Sequence, residues 1–191
     1  MAKLKILALD TSTEACSVAI WVDSAIIERF KFERHSEHIL PMVQEVLAEA
    51  GLSLTQLDAI AFGRGPGSFT GLRIAAGVVQ GLAFGANLPV VPVSSLAVLA
   101  QGVGVPRVLA ATDARMQQVY WGAYVRNAES LMELVGEEIV IAPQAVPLAG
   151  GEGWVGAGSG WDQYSAMLLA RLGSRVKEWR KQCYPHAGDV A

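Results

Sequence analysis

Phe62-Gly63-Arg64-Gly65-Pro66-Gly67-Ser68-Phe69-Thr70-Gly71-Leu72-Arg73 is the stretch whose reading decides the fold. It follows an apolar run over 58–62, which reads as a buried strand, and opens a segment over 72–84 with helical apolar spacing. A glycine-dense turn from strand to helix gathers free backbone N–H groups at one point, which suits an anion or a closely approaching backbone. A phosphate-binding P-loop closes with Gly-Lys-Ser/Thr, so that lysine neutralises phosphate and the hydroxyl holds magnesium. This turn closes with Gly71-Leu72-Arg73 instead, and three residues rather than two part Gly67 from Gly71, so the dinucleotide fingerprint fails too. The structural alternative has Pro66 fixing a torsion, Gly67 taking a positive φ and Ser68 or Thr70 capping the helix.

Outward from that turn, the pattern predicts strands over 4–9, 16–22 and 25–32, with a turn at Asp23-Ser24. Ile39, Val43, Val46, Leu47 and Ala50 repeat at helical spacing, Gly51 is placed to end the helix, and Pro41 calls for a start only a few residues before it. A strand over 88–93 leads to Ser94 or Ser95, either of which can cap a helix reaching about Gln101. Gly102-Val103-Gly104-Val105-Pro106 reads as a hinge, dividing the chain into lobes over 1–104 and 105–191. Beyond it come strands over 108–111 and 119–125, a Gly-rich stretch around Trp154 and a helix over 162–172. Asp10-Thr11-Ser12-Thr13 and Thr112-Asp113-Ala114-Arg115 suggest one strand-turn-strand unit used twice. The fold class is α/β, with sheets that mix antiparallel and parallel strands.

The composition, 52% hydrophobic and 17% charged, excludes disorder and allows an exposed apolar face for a partner. A net charge of -3 does not support unaided nucleic-acid binding. The exception, Arg171, Arg175, Lys177, Arg180 and Lys181, reads as a solvated helix face. Two cysteines far apart, Cys16 and Cys183, a start too short for a signal sequence and no uninterrupted apolar span point to a reduced, cytoplasmic setting without a membrane.

Asp10 and Asp113, each at a hairpin tip, could order magnesium-bound water beside a phosphate, or could cap their own turns. His35 and His38 lack an obvious third metal ligand, and His186 stands alone near the end. Gly77, Gly81 and Gly85 fall four apart on one helix face. Each helical glycine costs about 1 kcal/mol relative to alanine. Three in register imply a backbone packed close, either the chain's own sheet or another subunit's helix.

These residues, above all 63–73 with Leu7-Ala8-Leu9-Asp10-Thr11-Ser12-Thr13, Ile39-Leu40-Pro41, Asp113-Ala114-Arg115 and Val119-Tyr120-Trp121, resemble the bacterial TsaB family, also called YeaZ, along essentially the whole chain. The resemblance implies the two-lobed fold of actin, sugar kinases and heat-shock ATPases, with the second lobe reduced. Asp10, Thr11, Ser12 and Asp113 would then lie in degenerate phosphate loops, with no cofactor expected. TsaB proteins are similar to TsaD, which attaches the threonylcarbamoyl group to the adenosine next to the tRNA anticodon. Where TsaD carries two metal-binding histidines this chain has Ser95 and Leu99, so the resemblance implies no metal and no catalysis of its own.

It implies instead a dimerisation partner of TsaD that works with the ATPase TsaE, meets tRNA only through the complex, and forms a homodimer when isolated. The implied partner surface on the first helix is Ile39, Val43 and Val46. On the Gly-rich turn and the second helix it is Gly65, Pro66, Gly67, Phe69, Thr70 and Arg73, then Ile74, Gly77, Val78, Gly81 and Leu82. Family members continue beyond Tyr184-Pro185, so this chain is expected to lack their last helical segments. The alternative reading is a nucleotide-binding phosphotransferase of the actin-like superfamily; a metalloprotease has only old family naming behind it.

Overall fold

The computed structural model describes residues 4–23, 25–32 and 34–191; Ser24, half of one expected turn, lies outside them. Contacts divide the chain into two units, Met1–Val98 with Pro185–Ala191, and Leu99–Tyr184. The first holds strands β1 (Lys5–Asp10), β2 (Ala15–Val22), β3 (Ala25–Phe32), β4 (Ala59–Gly63) and β5 (Val90–Val93), ordered β3-β2-β1-β4-β5. Short loops hold β1 antiparallel to β2 and β2 to β3, whereas β4 and β5 arrive after helices and pair in parallel.

Helices α1 (His35–Glu49) and α2 (Phe69–Ala86) supply Ile39, Met42, Val43 and Val46, and Val79 and Ala83, to a core shared with Leu7, Leu9, Val18, Ile20 and Ile60 of the sheet. Each such fully buried aliphatic side chain contributes about 1.5–3 kcal/mol. Pro41 sits inside α1, in its second turn, with the ring on the exposed side, and Gly51 follows the helix end at φ 65°. By length and mean hydropathy of 1.3, α2 could cross a membrane, yet Gly71, Ala75, Val79 and Ala83 form one stripe buried on the sheet. Ile74, Val78 and Leu82 flank that stripe half-buried, and Phe69 and Phe84 face outward.

The second unit contains β6 (Arg107–Arg115), β7 (Gln118–Arg126), β8 (Met132–Ile141), β9 (Trp154–Ala157) and β10 (Val176–Arg180). Helix α3 (Ser95–Val103) spans the division, and α4 (Ser159–Leu172) packs on this sheet, its own Trp161 buried with Trp121 and Trp154 of the strands. Read as β8-β7-β6-β9-β10, the strand order and the parallel and antiparallel pairings repeat those of the first sheet. The repeated strand-turn-strand is therefore part of a repeated sheet. The helices repeat less fully: α1 follows β3, whereas only a 3-10 turn at Pro143–Ala145 stands between β8 and β9.

The basic cluster does not share a helix face. Arg171 ends α4, Arg175 lies in a 3-10 turn, and Lys177 and Arg180 are on β10, because Val176 and Trp179 draw this segment onto the core as a strand. The division also falls inside α3 rather than at 104. The last residues return to the first unit, where Ala187 and Val190 are buried with Ala8, Ala19, Ala61 and Val98.

Candidate functional site

The Gly-rich turn is packed against the loop after β1. A Cβ at Gly63 would strike the Asp10 carboxylate, one at Gly67 the Ser12 carbonyl, and one at Gly71 the Thr11 carbonyl. The Ser68 N–H donates to Ser12 O at 2.7 Å, and the Thr11 hydroxyl donates to Gly71 O at 2.8 Å. The positive φ belongs to Gly65 (93°), not to Gly67, and Ser68 rather than Thr70 caps α2, accepting from Gly71 N at 3.3 Å. The Ser12 carbonyl thus takes up the Ser68 N–H at the start of α2.

Asp10 is buried and accepts from Ser12 N (2.8 Å), Ser12 Oγ (2.7 Å) and Ser95 Oγ (3.0 Å). Burial pushes its carboxyl above the usual range despite the hydrogen bonds from Ser12 and Ser95, which act in the opposite sense. In the second unit Asp113 accepts from Arg115 N at 3.0 Å and from the Tyr164 hydroxyl at 3.2 Å. Each Asp therefore accepts the N–H two residues on, the turn-capping geometry of Asx residues. Both phosphate-loop candidates are engaged in holding their own hairpins.

The outer face of α2 is organised differently. Gly77, Gly81 and Gly85 are exposed, and a Cβ at any of them would meet nothing within 4 Å. Of the two uses open to this stripe, packing on the chain's own sheet is ruled out. Phe84, 90% exposed, sits seven residues after Gly77 and so on the same face, and Phe69 is 71% exposed at the other end. Roughly 22 Å of helix parts the two rings at 1.5 Å per residue. The Arg73 guanidinium lies over the Phe69 ring at 3.2 Å, leaving an apolar and cationic end to the stripe. Phe84 escaped the sequence reading, although it lies beside Gly85, seven residues after Gly77 on the same face.

Several residues assigned to a partner surface do not reach it. Ile39, Val43 and Val46 are 1%, 3% and 0% exposed, because that stripe of α1 is the one the sheet needs. Gly65 is buried within the turn, and Pro66 and Gly67 are half-buried in it. Ile74, Val78 and Leu82 are half-buried against the first core and flank the outer face. Phe69, Thr70, Arg73, Gly77 and Gly81 remain outward, joined by Gln80, Phe84 and Gly85.

Residues 29–154 match the family of the tRNA N6-adenosine threonylcarbamoyltransferase TsaD. The tRNA threonylcarbamoyladenosine biosynthesis protein TsaB of Escherichia coli strain K12 is 47% identical, over 84% of this chain and 74% of its own. That of Haemophilus influenzae is 44% identical over 90% and 79%. The chain belongs to the TsaB family.

The structure of YeaZ from Pseudomonas aeruginosa superposes with a TM-score of 0.90 at 46% identity, covering 98% of this chain and 88% of that one. A ROK hexokinase from Thermus thermophilus, 13% identical with a TM-score of 0.51 over 98% and 97%, places the TsaB fold in the actin-like ATPase class. The Ser95 hydroxyl donates to Asp10 and accepts from Gly65 N, and Leu99 is buried. Among the described residues no group of three or more His, Cys, Asp or Glu is arranged to hold a metal. His35 is tied to Thr13 O through Nε2 at 2.8 Å, and His186 meets Glu28 rather than standing alone.

Proposed function

We propose that this chain is a non-catalytic subunit of the machinery that makes threonylcarbamoyladenosine in tRNA, and that it acts by docking TsaD on the outer face of α2. It supports modification of the adenosine beside the anticodon together with TsaE, and reaches tRNA through the complex. The observation that carries this reading is the open glycine stripe. Three helical glycines lose about 1 kcal/mol each against alanine, and among the described residues nothing comes within 4 Å of the space they leave. A helix of another subunit packed close along them offsets that loss, with Phe69 and Phe84 as aromatic anchors near its ends. The match of 29–154 to TsaD supports a partner of the same fold, which would bring an equivalent pair of helices to a shared bundle.

Co-purification with TsaD tests the proposal. Gly77→Leu or Gly81→Leu is expected to abolish pairing while the chain stays folded by circular dichroism. Undiminished recovery of TsaD by both variants would refute it. The phosphotransferase alternative draws no support from Asp10, whose oxygens are occupied by Ser12 and Ser95.

A further inference from the structure

The segment Pro185–Ala191 lies across the face of the first sheet away from α1 and α2. Its bed is a row of three alanines, Ala8 paired with Ala19 on one side and with Ala61 on the other. Such a row is flat, and the segment's own apolar contributions, Ala187 and Val190, are small. Val98, Ile6 and Val93 complete the apolar cluster, and polar contacts add to this attachment.

Those contacts converge on Glu28 of β3. Its Oε1 accepts from Ser17 Oγ at 2.6 Å and from Gly188 N at 3.1 Å, while Oε2 faces His186 Nδ1 at 3.2 Å. Ser17 Oγ in turn accepts from Ala187 N at 2.9 Å. The His186 ring stacks on Phe30, with centroids 4.6 Å apart and planes at 18°. The charged groups acting on His186 are Glu28 from β3, Asp10 from β1 and Asp189 from its own segment, while β2 contributes the uncharged Ser17. All three are acidic, so each of these charged neighbours favours an imidazolium.

We propose that Pro185–Ala191 is a proton-controlled strap, held down on the alanine row while His186 is charged and loosened when it becomes neutral. The hydrogen bond to Glu28, opposed by burial, holds the imidazole above its ordinary value of 6.5. A raised folded value means that the pair contributes fully below about pH 6.5 and is lost as pH rises through the higher folded value. Burial pushes Glu28 up, but the bonds from His186, Ser17 and Gly188 outweigh it and hold the carboxyl below its ordinary 4.5. Its contribution is thus present above about pH 4.5 and lost as pH falls through the lower folded value. Attachment is strongest between those limits.

Amide exchange at Ala187 and Gly188 reads the strap directly, with the β4 amide of Ile60 as the reference for global opening. Corrected for intrinsic rates, protection at both is expected to fall about two- to fivefold from pH 6 to pH 8.5 relative to Ile60, the worth of a half-exposed ion pair. His186→Phe keeps the stack on Phe30 and is expected to abolish the slope. A flat wild-type profile, or an equal slope in His186→Phe, would overturn the proposal. Should that variant fold poorly, the NMR titration of the wild-type His186 ring decides. A shared midpoint with the Ala187 and Gly188 amide shifts supports the strap, and separate midpoints refute it.

Discussion

Replacing Gly77 and Gly81 together by alanine separates folding from docking. Both lie in the middle of α2, and a methyl group at either meets no atom within 4 Å. Neither takes a positive φ, so alanine adopts the backbone without strain. Each substitution removes about 1 kcal/mol of helix penalty, so the pair stabilises the free chain by about 2 kcal/mol. For a chain of this size that raises Tm by about 4–8 °C. The same two methyl groups stand where a partner helix would close on the stripe, and close-packed interfaces yield little to added volume. A loss of about 1.4 kcal/mol in docking is tenfold in Kd, and the double variant is expected to lose at least that. Calorimetric unfolding at two protein concentrations, which exposes any self-association, and titration with TsaD give both numbers. A lower Tm would mean that the glycines serve the chain's own packing. A higher Tm with unchanged affinity would mean that TsaD docks elsewhere.

Three further substitutions or reactions probe the interior. Gly71→Ala sits on the same helix, yet its Cβ would enter the Thr11 carbonyl. We expect a loss of about 2–3 kcal/mol in denaturant titration, and a gain would refute the packing of the turn on the β1 loop. Asp10→Ala leaves Ser12 N–H, Ser12 Oγ and Ser95 Oγ without their acceptor and should cost about 1–3 kcal/mol, with Asp10→Asn milder. Unaltered stability with lost ATP binding in calorimetry would instead revive the nucleotide reading. Cys16 is buried, and burial first, then the Asp10 charge, pushes its thiol up to about 11. Iodoacetamide at pH 8 should therefore leave Cys16 unlabelled until the chain unfolds, and rapid native labelling by mass spectrometry would contradict that burial.

The legible parts of this chain were those with local periodicity. β3 sets Ile26, Phe30 and Phe32 against Arg29 and Lys31, and the 3.6-residue repeat of α1 ends at a glycine, so both were readable. β8 was not, because Met132–Ile141 mixes Glu133, Glu137 and Glu138 with apolar residues and a glycine on an edge strand exposed over most of its length. β10 was obscured by Lys177, Glu178 and Arg180, which signal charge more strongly than Val176 and Trp179 signal a strand. The error over Ile39, Val43 and Val46 has a different origin. Periodicity says that a helix has an apolar face, but not whether that face meets its own sheet or another molecule.

The repeated sheet supplies the missing comparison for α2. In each unit the helix after the fourth strand of the repeat starts at a glycine turn, and in each that turn closes on the strand carrying the Asp hairpin. Gly71 meets Thr11 O in the first unit, and Gly158 and Gly160 meet Ala111 in the second. The fold therefore needs glycine at those junctions, and both copies provide it. It does not need glycine further along the helix: α4 continues from Trp161 to Leu172 without one, on a sheet of the same strand order. Gly77, Gly81 and Gly85 are thus a feature of one copy that the shared architecture does not require. The sheet beneath α2 does not account for them, and the docking proposed on its outer face would.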